Sequence, residues 1–268
     1  MVPGLSVAAA SDVGLVRSQN EDSYVAGHHL WAVADGMGGQ AAGRMASQIA
    51  IRHLVAADAD GLDQARVAGL FDEINQDILG YGRSHPAAAG LGTTLAGIAL
   101  VALAGQAHWL VFNIGDSRVY RLTGGRLHRE TNDHSETQAL VDMGTITAAQ
   151  ARTHPSRNVL TRCLGAPQKP RADMRLVPYL PGDRLMICSD GLTSEVDDAT
   201  IERVLLTAPN PDDAATRLIA TALQLGGRDN VTVVVIGIGG AEGDSNGGLV
   251  EDTLPTAVVE GSYAIAQS

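Results

Sequence analysis

Residues 93–122, TTLAGIALVALAGQAHWLVFNIGDSRVYRL, decide the fold. Apolar residues dominate from Leu95 to Phe112, but Ala104-Gly105-Gln106 breaks the run and His108 sits inside it. A membrane-spanning helix needs about 20 consecutive apolar residues without such a break. Two apolar runs of strand length around a glycine turn read instead as an antiparallel hairpin. A third run, 117–122, follows Gly115-Asp116. Working outward, further strand-like runs lie near residues 5–9, 22–26, 30–35, 184–189 and 231–238, and short turn signals such as Gly124-Gly125 favour hairpins.

Helical spacing appears in two early blocks, one carrying Ala46, Ile49, Ala50, His53 and Leu54, the other Val67, Leu70, Phe71, Ile74 and Ile78. A late helix has a full set of signals. Asn210 caps it, Pro211 takes the first turn, Asp212 and Asp213 suit its dipole, and Gly226-Gly227 ends it. Another is expected to begin near Asp198, with Ile201, Val204 and Leu205 turned inward. Helices grouped between runs of hairpins indicate α+β layers, not an alternating parallel sheet. Over 135–165, Ser135-x-x-Gln138 and Thr147-x-x-Gln150 resemble capping boxes, which predicts a small helical insert at the sheet rim.

The chain has 268 residues, 45% hydrophobic and 18% charged, which describes a globular protein with a sizeable core. Aromatics make up only 3%, so Ala, Val, Leu and Ile must build that core. A net charge of -11 speaks against non-specific nucleic-acid binding, which needs a basic face. Cys163 and Cys188 form no C-x-x-C pattern, so neither a disulfide framework nor a zinc site is expected. The N-terminus lacks the basic and apolar segments of a signal peptide, and a cytoplasmic monomer is expected. One domain should cover 1–239. Residues 240–268, rich in Gly, Ser, Ala and acids with no Lys, Arg or His, read as a flexible acidic tail.

Lys169 is the only lysine, which removes phosphate-binding loops of the G-x-x-x-x-G-K type. Six positions after Cys163 and Cys188 stand Lys169 and Ser194, so neither can belong to a cysteine phosphatase loop with its arginine. Acidic motifs remain. Asp35, Asp190 and Asp229 each sit where an apolar run meets a glycine turn, in LWAVAD-GMGG, DRLMICSD-GL and GGRD-NVTVVVIGIG. Carboxylates on a shared rim suit hard divalent cations. Taken singly, Asp-Gly is a turn signal, Gly115-Asp116 fits a hairpin turn, Arg17 fits a surface charge, and His134 and His154 fit helix ends or packing.

Together and in order, the motifs are more specific. SDVGLVRSQNEDSY, WAVADGMGGQAAGRMAS, LGTTL, FNIGDSRVYRL, TNDHS, NVLTRCLG, CSDGLTSEV and GGRDNVTVVVI run from Ser11 to Ile236. The chain resembles the metal-dependent protein serine/threonine phosphatases of type 2C, in their compact bacterial form. That resemblance implies a four-layer α-β-β-α sandwich: two packed antiparallel sheets, helices on both outer faces, and a helical flap matching 135–165. It implies that Asp35 bridges two Mn²⁺ or Mg²⁺ ions, the Gly36 carbonyl joins the first, and Asp190 with Asp229 holds the second. Asp116 would serve a third ion, Glu21 and Asp22 would hold waters, Asn230 would support Asp229, and Arg17 would grip the phosphate.

By the same resemblance, water activated between the ions attacks phosphoserine or phosphothreonine in a protein, reversing a serine/threonine kinase. Eukaryotic relatives carry a histidine two residues after the bridging aspartate, where this chain has Met37, so the general acid is unassigned. A phosphoprotein-binding pseudophosphatase and a small phosphate-ester hydrolase are the rival readings.

Overall fold

The computed structural model describes residues 4–39, 42–58 and 61–239. The acidic tail expected beyond Gly239 lies outside the described residues.

Twelve strands occur among the described residues: β1 (Leu5–Asp12), β2 (Ser23–Ala26), β3 (Leu30–Ala34), β4 (Gly36–Met37), β5 (Gly92–Thr93), β6 (Leu95–Leu103), β7 (Gln106–Ile114), β8 (Arg118–Thr123), β9 (Arg126–Arg129), β10 (Asp173–Pro178), β11 (Arg184–Cys188) and β12 (Val231–Ile238). Helices α1 (Ala42–Ala57) and α2 (Gln64–Ser84) interrupt them early. The short α3 (Glu136–Asp142) and α4 (Ala148–Ala151) follow, then α5 (Asp190–Thr193), α6 (Asp198–Thr207) and α7 (Pro211–Leu225). One five-stranded sheet runs β1-β12-β11-β8-β9, a second β10-β7-β6-β3-β2, and β4 pairs with β5. Every pairing is antiparallel. No described helix is long and apolar enough to cross a membrane.

Alternation along the strands builds three apolar layers. In β12, Val234 and Ile236 face the second sheet while Val231, Val233 and Val235 face α6 and α7. In β3, Trp31 and Val33 enter the inter-sheet core while Leu30, Ala32 and Ala34 pack under α1 and α2. Antiparallel sheets often leave one face wet. Here both faces are covered, which is why VTVVVIGI reads as a continuous apolar run. The two tryptophans meet inside this core, with ring centroids 5.6 Å apart at 75°. Few aromatics therefore suffice, since the main ones sit where the sheets touch.

Most sequence expectations stand. The 93–103 and 107–114 runs form the β6–β7 hairpin, and Gly124-Gly125 turns β8 into β9. The Asn210 side chain accepts a bond from the Asp213 N–H at the start of α7. Gly115-Asp116 is not a hairpin turn, because β7 and β8 belong to different sheets; the dipeptide crosses between them. Two edge strands left no sequence signal. In β10 only Val177 is buried, and in β9 no residue is, so neither carries the buried apolar run of a central strand.

Gly97 in β6 marks the tightest point of this packing. A Cβ there would run into the Phe112 ring and the Trp31 carbonyl. Gly97→Ala is expected to destabilise the protein by roughly 1–3 kcal/mol, the usual cost of overpacking a close-packed core. Urea denaturation measures it, and an unchanged midpoint would refute the tight contact.

Candidate metal and phosphate site

The acidic residues meet because the strands that carry them end together. Asp35 follows β3, Asp116 lies in the β7–β8 crossover, Asp190 opens α5 directly after β11, and Asp229 stands just before β12. All four line one open cleft of about 800 Å³, together with Arg17, Glu21, Gly36, Met37, Thr94 and Asn230. The flap supplies Asn158, Val159, Leu160 and Cys163 to the same cleft.

Hydroxyl and amide groups fix the backbone beneath the carboxylates. The Thr94 hydroxyl accepts from the Asp35 N–H at 3.0 Å, the Thr93 hydroxyl donates to the Asp35 carbonyl at 2.9 Å, and the Thr94 and Ser117 hydroxyls bond at 2.7 Å. Gly36 lies against the Gly43 carbonyl in the first turn of α1, leaving no room for a Cβ. Asn230 supports Asp229 through its backbone while its side chain braces a separate loop. Its side chain donates to the Val13 and Gln19 carbonyls and accepts from the Glu21 N–H at 2.8 Å, so it ties down the loop carrying Arg17 and Glu21. Only its backbone N–H serves Asp229, at 2.8 Å. Thr93, Thr94, Ser117, Ser189 and Thr232 were not singled out from sequence, since a lone hydroxyl carries no pattern.

Asp22 is buried beneath the cleft. Its Oδ2 accepts from Ser189 at 2.8 Å and Thr232 at 2.7 Å, while Oδ1 has no partner. Burial pushes the Asp22 carboxyl up to about 7. Burial, then Asp229, pushes Asp190 up to about 6. Asp35 and Asp116 are also held well above the usual range, first by burial and then by neighbouring carboxylates. These three keep some solvent contact through the cleft mouth while protein atoms surround them. Like charges gathered in a poorly solvated place raise one another's pKa values unless a cation joins them.

Apart from the Cys163 thiol and the Met37 thioether, the potential metal donors along the lining are oxygens, with no imidazole among them. Such donors fit a hard divalent cation that retains part of its water shell. Among the described residues, no three His, Cys, Asp or Glu side chains form a cage by themselves, so water or main-chain oxygen would have to complete the coordination. Asp229 Oδ2 is taken by Arg17 Nη2 at 2.8 Å.

His134 and His154 lie outside the cleft lining. His134 is buried at the flap's base, where Nδ1 accepts from the Gly115 N–H at 3.1 Å and Nε2 faces Asp173 at 3.1 Å. The flap is pinned at its ends: Leu164 and Thr93 exchange backbone bonds, and Asn75 of α2 accepts from the Gly165 N–H. Thr147-x-x-Gln150 forms a complete capping box, whereas at Ser135 only the N-cap half forms and Gln138 turns to Asp142.

Comparison with known proteins gives this geometry a context. The model of the family "Protein phosphatase 2C" matches residues 17–218. The chain is 41% identical over 98% of its length to the serine/threonine protein phosphatase PstP of Mycobacterium tuberculosis, and spans about half (52%) of that relative's length. It is 34% identical to the serine/threonine phosphatase stp of Listeria innocua, covering 84% of this chain and 93% of the relative. A crystal structure of the PstP catalytic domain in complex with two manganese ions aligns with a TM-score of 0.78 and 41% identity, covering 88% of this chain and 99% of that one.

The raised carboxyls make a pH signature. A group whose folded pKa lies above its unfolded value stabilises the fold at low pH, and that contribution fades as pH rises through the folded pKa. Asp190 at about 6 and Asp22 at about 7 set the window, from near 4 in the unfolded chain up to about 7. Metal-free protein should therefore lose stability as pH rises across this window, and added Mn²⁺ should raise Tm more at pH 7.5 than at pH 5. Thermal melts with and without EDTA decide this; a pH-independent Mn²⁺ effect would contradict it.

Proposed function

The chain belongs to the protein phosphatase 2C family, and on that premise we propose that it hydrolyses phosphoserine and phosphothreonine in proteins, using two divalent cations held in the carboxylate cleft. The observation that carries this reading is the convergence of Asp35, Asp116, Asp190 and Asp229 with Arg17 in one cleft. Asp35 would bridge two ions of Mn²⁺ or Mg²⁺, the Gly36 carbonyl would join the first, and Asp190 and Asp229 the second, with Asp116 serving a third. When bound, such ions supply positive charge toward the phosphoryl oxygens and acidify an attacking water.

The protein's own groups have definable tasks. Glu21 and Asp22 would orient water beside the ions; the unpartnered Asp22 Oδ1 is the available acceptor. Arg17 would hold phosphoryl oxygens with its two-pronged donor set. Its present bond to Asp229 does not forbid this. The Arg17 side chain is 53% exposed, and exposed pairs contribute at most about 1 kcal/mol. Giving up that bond therefore costs little. The Met37 thioether cannot donate a proton and no histidine lines the cleft, so the proton for the leaving alkoxide would come from a water or from another group of the cleft. The cleft is open, which suits a phosphorylated side chain presented on a polypeptide better than a small ester that needs enclosure. In the cell the enzyme would act in the cytoplasm, as a monomer, opposing a serine/threonine kinase.

Purified protein with Mn²⁺ should release phosphate from a phosphothreonine peptide, and EDTA should stop it. Asp190→Ala and Asp229→Ala should each lower turnover by at least about 100-fold, the scale of losing one transition-state charge partner. Arg17→Ala should mainly raise KM. Phosphopeptide binding without hydrolysis would favour the pseudophosphatase, and a steep preference for small phosphate esters would replace the substrate class.

A further inference from the structure

Glu195 and Arg228 lie outside the cleft lining, yet they join the two segments that carry Asp190 and Asp229. Glu195 comes just after α5, and Arg228 immediately precedes Asp229. Arg228 donates three hydrogen bonds to the one carboxylate: Nε to Oε1 at 2.7 Å, Nη2 to Oε2 at 2.9 Å, and its backbone N–H to Oε1 at 3.2 Å. The Glu195 side chain is only 3% exposed, with the backbone at Gly226 against its carboxylate as well as the guanidinium, which is itself 69% exposed. Were this a contact between side chains alone, its exposed arginine would make it weak. The bond to the main chain changes that, since it fixes the backbone at 228 and so aims the next side chain.

The backbone on either side of Asp229 is held by the Leu15 N–H on the Gly227 carbonyl and by the Asn230 side chain, but its carboxylate has few partners of its own. Its Oδ1 bonds to the adjacent Asn230 N–H and its Oδ2 to the exposed Arg17. We propose that Glu195 is a positioning residue: its three-bond grip on Arg228 braces the Asp229 loop against α5, so that Asp190 and Asp229 present their carboxylates to a shared cation at a fixed separation. This rests on the phosphatase reading only in taking those two aspartates as cation ligands. Hydrogen bonding from Arg228 holds the Glu195 carboxyl below its ordinary range, with a smaller contribution from Arg152 of the flap, so the brace is ionic at neutral pH.

The test compares full-length wild type with Glu195→Gln, Arg228→Gln, the double variant and Arg228→Lys. Calorimetric Mn²⁺ titration gives affinity, thermal melting reports folding, and kinetics on a phosphothreonine peptide at saturating Mn²⁺ separate KM from kcat. Each single substitution to Gln should weaken Mn²⁺ binding by about tenfold, the scale for groups that orient metal ligands. The double variant should be no worse than the poorer single, because both remove one contact. Arg228→Lys keeps the charge but lacks the fork, and should recover only part of the affinity. KM at saturating Mn²⁺ should not change.

Unchanged Mn²⁺ affinity in the single variants overturns the proposal, even if their melting temperature falls, and so do losses that add in the double variant. If the affinity shifts appear but wild type cleaves no phosphopeptide, the positioning role stands and the phosphatase reading falls. Cleavage by wild type with unshifted variants gives the reverse.

Discussion

Two sheets that are apolar on both faces can leave water only by packing face to face and then covering their outer faces with helices. Everything else in the structure follows from that constraint. Trp31, Val33, Ile98 and Trp109 of one sheet meet Val119, Leu185, Ile187, Val234 and Ile236 of the other, while α1 with α2 and α6 with α7 close the outside. Because side chains alternate with period two, a slip of one residue in any central strand would exchange its inter-sheet and helix-facing sets. The register is therefore fixed by burial on two sides at once. It also fixes where the strands end, and the ends are where the chemistry lies.

That geometry gathers Asp22, Asp35, Asp116 and Asp190 into one poorly solvated region, where each carboxyl is pushed upward. A fold selected for stability alone has no reason to collect them. Short hydroxyl donors from Ser189 and Thr232 satisfy only one oxygen of Asp22, and threonines 93 and 94 hold the Asp35 main chain, not its charge. The unbalanced charge is what a bound cation would neutralise, so binding energy and folding energy are linked at this point.

The central layers were legible in the sequence because their cause is local. Strand-length apolar runs, the Gly105 turn, the Asn210-Pro211 cap and the helical stripes of α1, α2 and α7 each follow from backbone and side-chain preferences within a few residues. The edge strands β9 and β10 were not legible. Their pairing comes from the free edges of β8 and β7, and their own side chains are mostly exposed, so no buried apolar run records it. Gly115-Asp116 was ambiguous for a related reason: a turn between hairpin strands and a crossover between sheets need the same residue types.

Sequence order and a family pattern singled out Arg17, Asp35, Asp116, Asp190 and Asp229, which share one cleft, because ionisable side chains at strand ends beside glycine are conspicuous. They could not say what holds those groups in place. Asn230 bonds across to the 13–21 loop, His134 bonds to the Gly115 N–H, and Glu195 grips Arg228, each contact joining residues far apart in sequence or lodged in separate loops. Amino-acid type and spacing determined which groups could carry charge and which strands could be buried. Only the packing of the two sheets decided which of those groups share a cleft, since that distance depends on registers set by the whole core and not by any one segment.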